Sequence, residues 1–361
     1  MFGLKSVVNC YPGKIVICCM LLGIGSIFNP VSAQILTVKQ PVQALNASDL
    51  AVIVNDNDPL SRQIGEYYQN QRNIPPNQVL HVRLSANQGI LSADEFKKIR
   101  QQVINQTPDH IQAFALTWIK PFRVECMSIT TAFAADFDPA FCASGCSATR
   151  NSPYYNSTAS KPFDQHGWRP TMTVAAADFS EAKKLIDRGV ASDYSNPQGT
   201  AYLLKTSDRA RSSRAVYFSA IAENFRPFWP VKYLEQDYIA GHDDVMFYFT
   251  GLTVVPHILD NRYPPGAVAD HLTSAGAVLS GSKQMSILEW IKAGVTGSYG
   301  TVVEPCNFPQ KFSDPEVLLY HYLRGSSLIE AYWKSVAQPG QGLFIGEPLA
   351  KPFAIPPSVT Q

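Results

Sequence analysis

The sequence predicts an α/β protein of three layers, a mostly parallel sheet with helices on both faces. Three observations carry this. Between Asp49 and Trp118 short apolar runs alternate with helix-forming stretches in the order strand, helix, strand, helix, strand. Between Asp244 and Cys306 two buried strands each run into a corner of small residues, and a helix and a third strand follow. The chain has 361 residues, 45% hydrophobic and 16% charged, enough for a large core built as one big domain or two lobes.

The first strand is Ala51–Val54, and Asn55-Asp56-Asn57-Asp58 turns it into a helix. Asp58 is a good N-cap and Pro59 a good first helical residue, so this helix is expected from Pro59 to about Arg72. Val79–Leu84 is the next strand. Ser92-Ala93-Asp94-Glu95 is a capping box, and Phe96, Ile99 and Val103 follow at helical spacing. Ile111–Trp118 is the third strand. From Lys120 to Pro170 the pattern breaks down, with three cysteines and a polar run over 152–158. Loops this long are often functional, and this one reads as a disulfide-stapled insertion over the sheet.

Thr171–Ala175 resumes as strand. Phe179–Val190 is a helix ending near Gly189, Thr200–Leu204 a strand, and Asp208–Ile221 helical. Strands follow at Val231–Glu235, Val245–Phe249 and Val268–Thr273. Ser286–Ala293 is a helix stopped by Gly294, and Tyr299–Val303 a strand ending at Glu304-Pro305-Cys306. Asp314 caps a helix to about Leu323, Ser327–Val336 is the last helix, and Leu343–Ile345 the last strand. The sequence shows no internal repeat. Residues 34–353 therefore read as a single α/β domain with the insertion at about 120–170, and 354–361 as a C-terminal tail.

Residues 1–33 read as a secretory signal. Lys5 and Lys14 precede an apolar run, Ile15–Phe28, and Val31-Ser32-Ala33 offers small residues for cleavage after Ala33. The run has 14 residues, whereas a membrane span needs about 20. No later run is long enough to span, so no membrane span is expected after cleavage. The segment holds two of the 30 basic residues and none of the 29 acidic, leaving 28 against 29. That balance gives no case for nucleic acid as a partner. The expected location is secreted or periplasmic.

Four cysteines remain: Cys126, Cys142, Cys146 and Cys306. An even number in an oxidising compartment implies two disulfides, in any of three pairings. A zinc site is the rival, since Cys142 and Cys146 approach ligand spacing, but Cys126 and Cys306 do not form a second close pair.

The carboxyl ends of strands in such a sheet are where ligands sit, and the candidate residues cluster there. From Val245 to Phe353 the layout resembles caspase/gingipain-like cysteine peptidases, and the close Gly346-Glu347-Pro348 resembles the Gly-Asp-Pro end of the gingipain type. Most of the chain after residue 33 resembles a family of uncharacterised secreted bacterial proteins. The segments that carry this are Asn55–Ser61, Ala269–Ser274, Lys311-Phe312 and Asp314-Pro315. The peptidase resemblance implies a caspase-like layout in which one strand ends in His-Gly and a later one in the nucleophilic Cys. Here Thr250 stands at the His position and Ser274-Ala275-Gly276 at the Cys position, so the usual dyad is absent. Threonine is no general base near pH 7, and neither alanine nor glycine is a nucleophile.

Three sets of residues follow as candidates. His257 and Cys306 both lie after strands and would form a thiolate–imidazolium pair if Cys306 were free of a disulfide. Asp270, His271 and Ser274 would form a Ser–His–Asp set only if the strand has ended by His271, because neighbours on a strand point to opposite faces. No Gly-x-Ser-x-Gly elbow surrounds Ser274. Asp56 and Asp58, with Asn57, offer oxygen ligands for a divalent cation, against the plainer reading of an N-cap and turn. The leading expectation is a binding protein holding a small molecule or peptide through Asp56, Asn57, Thr250, His271 and Glu304. Its rival is a hydrolase with a relocated site.

Overall fold

The computed structural model describes residues 43–143 and 145–356. The signal read over residues 1–33 and the last residues of the tail, 357–361, lie outside them. Along the chain the elements are β1 (Leu50–Asn55), α1 (Pro59–Arg72), β2 (Val79–Val82), β3 (Ile90–Leu91), α2 (Ala93–Gln106) and β4 (Ala113–Leu116). The insertion follows with β5 (Arg123–Val124), β6 (Met127–Ser128), α3 (Ile129–Ala135) and α4 (Pro162–His166). Then come β7 (Thr171–Thr173), α5 (Phe179–Ser192), β8 (Thr200–Lys205), α6 (Phe218–Phe225), β9 (Val231–Glu235), β10 (Val245–Thr250) and β11 (Val268–His271). The chain closes with α7 (Ile287–Ala293), β12 (Gly297–Thr301), α8 (Pro315–Leu323), α9 (Leu328–Ser335) and β13 (Gly342–Gly346).

The fold is the expected α/β architecture: one ten-stranded sheet in the order β2-β1-β4-β7-β13-β12-β11-β10-β8-β9. Strands β2, β1, β4, β7 and β13 are parallel to one another, as are β12, β11, β10, β8 and β9. The two sets meet antiparallel at β12 and β13, from Gly297↔Gly346 to Thr301↔Gly342. Numbered in chain order within each set, both halves read 2-1-3-4-5 from their outer edge. The architecture repeats although the sequence shows no repeat, because topology needs only the order of strands and helices. The last strand, β13, completes the first half, so the C-terminal segment closes a unit begun near the N-terminus.

Helices cover both faces. Tyr248 and Phe247 are neighbours on β10 and so point oppositely. Tyr248 packs against Trp290 of α7, and Phe247 against Tyr322 of α8. The centre of the sheet is dry: Leu343, Phe344 and Ile345 of β13 are completely buried, as are Val52 and Ile53 of β1.

Several boundaries differ from expectation. Gly189 lies inside α5, which runs on to Ser192. A Cβ at Gly189 would come within 2.4 Å of Glu347 Cγ, so the glycine marks a close approach rather than a helix stop. Residues 208–212 are a turn; helix begins only as a short 3-10 segment, Ser213–Tyr217, ahead of α6. The strand expected at Tyr299–Val303 is Gly297–Thr301, because pairing with β13 sets its register. Within the insertion, β5 and β6 join β3 in a small separate sheet.

Candidate functional site

The strands β8, β10, β11 and β12 end together, and the segment after β8 folds over their ends. Thr206 donates from Oγ1 to the Gly251 carbonyl at 2.6 Å. The main chain at Arg211 lies directly on Gly251, where a Cβ would fall 1.9 Å from the Arg211 carbonyl oxygen. The Arg211 guanidinium then donates to Thr273 Oγ1 at 3.1 Å and to Asp208 at 2.8 Å. Gln284 Oε1 accepts from Thr273 Oγ1 and from the Ala275 amide, tying down the corner after β11. An arginine with its partners thus occupies the ends of β10 and β11.

Beneath it Arg214 and Asp270 form a buried ion pair. Arg214 Nη2 donates to Asp270 Oδ1 at 2.7 Å and to the Thr250 carbonyl at 3.0 Å. Its Nη1 donates to the carbonyl and hydroxyl of Ser313, and the Ser313 hydroxyl donates in turn to Asp270 Oδ2. Burial pushes the Asp270 carboxyl up, and Arg214 and Ser313 pull it back. Arg214 is 3% exposed and Asp270 1%, so both charges are largely shielded from water.

His271 looks the other way. Strand β11 includes it, so Asp270 and His271 point to opposite faces. Its Nδ1 accepts from Trp290 Nε1 at 3.0 Å, which leaves the proton on Nε2, a buried nitrogen with no hydrogen-bond partner. Burial lowers the imidazole from its ordinary 6.5 to about 3, with the charges of Arg214 and Arg211 adding to the effect and the Met285 backbone opposing it. Asp270 is spent on Arg214, and Ser274 engages through its carbonyl, which accepts from Thr301 Oγ1. Asp270, His271 and Ser274 do not converge, because the strand has not ended at His271.

The other candidates are also dispersed. Cys306 is bonded to Cys146, and Cys126 to Cys142, so Cys306 is not a thiolate. His257 is half exposed and pairs with Asp260 at 2.7 Å. Thr250 is buried with its hydroxyl unpartnered, and it serves Arg214 through its carbonyl. Glu304 lies three residues past the end of β12, exposed, its carboxylate accepting from the Cys306 amide. Asp56 and Asn57 lie in the other half of the sheet, after β1. Asp58 caps α1 through the Leu60 amide, whereas Asp56 pairs with His81 at 2.7 Å. The two aspartates therefore have separate jobs, and among the described residues no three His, Cys, Asp or Glu side chains are grouped to hold a metal.

What the fold does assemble is a crevice beside the Arg214–Asp270 pair. A cavity of about 200 Å³ is lined by Arg214, Tyr217, Phe312, Ser313, Asp314 and Tyr155. A wider hollow of about 510 Å³ continues beyond Tyr155, lined by Asn151, Ser152, Phe308 and Gln338. Tyr155, Gln310 and Ala337 belong to both, so the two form one groove. The Tyr155 hydroxyl donates to Asp314 Oδ2 at 3.2 Å, and burial beside Asp314 raises its pKa. Tyr217, which lines the cavity, is exposed at its rim. One wall of the groove comes from the insertion and the other from the segment between β12 and α8, sequence-distant pieces that no local pattern joins. Arg214 had one legible signal: three arginines, Arg209, Arg211 and Arg214, follow directly on β8.

Compared with family models, curated proteins and solved structures, the chain has no match. The two disulfides are compatible with an extracytoplasmic protein. No helix among the described residues is long and apolar enough to cross a membrane.

Proposed function

We propose that this is a secreted or periplasmic ligand-binding protein, a non-peptidase relative of caspase-like proteins, whose site is the groove beside Arg214. The observation that carries the reading is the cavity at the carboxyl ends of the second half-sheet. It has aromatic walls, a polar floor already neutralised by its own ion pair, and an exposed tyrosine, Tyr217, at its rim. Such concave, mostly apolar places with a few fixed polar groups are where small molecules and peptide side chains bind. The hydrolase alternative is weakened by the bonded Cys306, by the inward-facing neutral His271, and by the arginine over the ends of β10 and β11.

The volume suits one side chain or a small molecule. A panel of N-acetyl amino-acid amides, aromatic, aliphatic and charged, titrated calorimetrically into the purified protein, tests it. Binding by at least one class, weakened tenfold or more in Tyr217→Glu, is the expected result. Tyr217 is 59% exposed, so that change leaves the core alone. Absence of binding across the panel, or hydrolysis of peptide substrates that survives purification to homogeneity, overturns the reading.

A further inference from the structure

We propose that the Cys146–Cys306 disulfide is a redox latch. It holds the strap formed by residues 146–158 over the groove and over a buried lysine, and a dithiol reductant releases the strap. The two disulfides sit in different surroundings. Cys126 and Cys142 pack against the hydrophobic core. Cys146 is exposed and Cys306 only partly covered, and neither packs on the core. Exposed disulfides are the ones that thiolates reach first, because attack requires an in-line approach to one sulfur.

Along its first part the strap is also held through Arg150, whose guanidinium lies over the Phe141 ring and pairs with Asp138 at 2.6 Å and whose amide donates to the Ala140 carbonyl, and through further polar contacts. Lys311 Nζ donates to the Ser147 carbonyl at 2.7 Å, Thr149 N to Gln338 Oε1 at 3.1 Å, and Gln338 Nε2 to Asn151 Oδ1 at 3.2 Å. Further on, Ser152 N donates to the Ala337 carbonyl and Asn156 N to the Lys334 carbonyl, both at 2.8 Å. His321 Nε2 meets Asn156 Oδ1 at 2.9 Å. What the strap covers is unusual. Lys334 is completely buried, its ammonium 5.1 Å from the centre of the Tyr154 ring and without a hydrogen-bond partner. One turn back on α9, Glu330 Oε1 is buried and unpartnered too. Burial disfavours the Lys334 ammonium, and Glu330, whose Oε2 accepts from Leu45 and Ser327, opposes that effect; Tyr154, completely buried, is the strap residue that keeps water from this face of α9.

The chemistry balances with a dithiol. One thiolate of the reductant attacks Cys146 Sγ, forming a mixed disulfide and expelling the Cys306 thiolate, which takes a proton from water. The second thiolate of the reductant attacks its own mixed-disulfide sulfur and expels the Cys146 thiolate, which is likewise protonated. The reductant leaves oxidised to a disulfide and the protein carries two thiols.

The strap lines the groove through Ala148, Asn151, Ser152 and Tyr155, so its release alters ligand uptake; only that consequence rests on the binding reading above. The test is run on the oxidised protein in graded ratios of reduced to oxidised dithiothreitol. Alkylation mapping, amide hydrogen exchange and acetylation of lysine by an active ester are read together. Expected are reduction of Cys146–Cys306 at ratios that leave Cys126–Cys142 intact, at least tenfold faster exchange across 152–158, and acetylation of Lys334 that the oxidised protein lacks. The Cys146→Ser/Cys306→Ser protein should show the same exchange and acetylation without reductant. Reduction of Cys126–Cys142 first overturns the latch. So does opening of Cys146–Cys306 with exchange across 152–158 unchanged and Lys334 still protected. These readouts need no ligand, so they stand or fall apart from the amide titration.

Discussion

Arg214 and Asp270 are each held by the other and by Ser313 in a place almost closed to water. Buried pairs of this kind contribute little net stability against an apolar replacement, yet breaking one leaves an uncompensated charge. Arg214→Met is therefore expected to lose about 3–5 kcal/mol in urea unfolding at pH 7. Adding Asp270→Asn should recover a large part of that loss. A single-variant loss below about 1 kcal/mol, the level of a surface pair, would mean the charges are solvated. The histidines make a second residue-scale prediction. Burial depresses His271 to about 3, and His321, under the strap, is lowered to about 3 by burial and the charges of Lys334 and Arg324. A base depressed by folding stays neutral in the native state while the unfolded chain takes up a proton. Its contribution is complete above pH 6.5 and is lost as pH falls toward about 3. Between pH 6.5 and 5, before most carboxylates titrate, stability should fall by up to about 1.4 kcal/mol per pH unit for each histidine. His271→Gln/His321→Gln, keeping an acceptor for Trp290, should flatten that slope. An unchanged slope in chemical unfolding at pH 6.5, 6.0 and 5.5 would refute the assignment. The pairing of Arg214 with Asp270 spans 56 positions in the chain. A lone aspartate in an apolar strand demands a cation, but nothing local says which.

At the scale of elements, the caps were legible because they are local. The Ser92–Glu95 box forms as read, with Glu95 N on Ser92 Oγ and Ser92 N on Glu95 Oε2, and Asp314 accepts from the Glu316 amide. Gly189 was not legible, because the same residue that ends a helix also lets another segment of the chain approach it. The partner is Glu347, completely buried just after β13, where it accepts from the Tyr68 hydroxyl at 2.6 Å and from Arg72 Nε at 2.9 Å. Helix propensity alone makes Gly→Ala favourable by about 1 kcal/mol. Here the new methyl would strike Glu347 and disturb its bonds to Tyr68 and Arg72. Gly189→Ala is expected to destabilise by about 1–3 kcal/mol, measured by urea unfolding; a gain in stability would show that Glu347 can move aside. The offset of β12 by two residues has the same origin. Apolar character runs past both ends of the strand, and only pairing with β13 chooses which residues form it.

For the whole molecule, the two half-sheets share one continuous set of hydrogen bonds through β12 and β13, and the second half interrupts the first in the chain. The first half cannot be completed without the last strand, which also covers the β12 edge of the second. A chain ending at Gln338 is therefore expected not to fold, and the intact chain to unfold in a single transition seen alike by tryptophan fluorescence and far-UV dichroism. Two separated transitions, or a folded truncated chain, would show that the halves are independent. The sequence by itself determined what is local: the α/β class, the caps and turns, the apolar strands and the even set of cysteines suited to two disulfides. Each of these follows from a few neighbouring residues and their spacing. The tertiary structure alone decided which cysteines pair and that β13 belongs to the first half. It also decided which way each side chain of β11 faces and which distant segments wall the groove. Those choices turn on contacts between residues tens to hundreds of positions apart, where strand register and packing, rather than neighbouring sequence, select the partner.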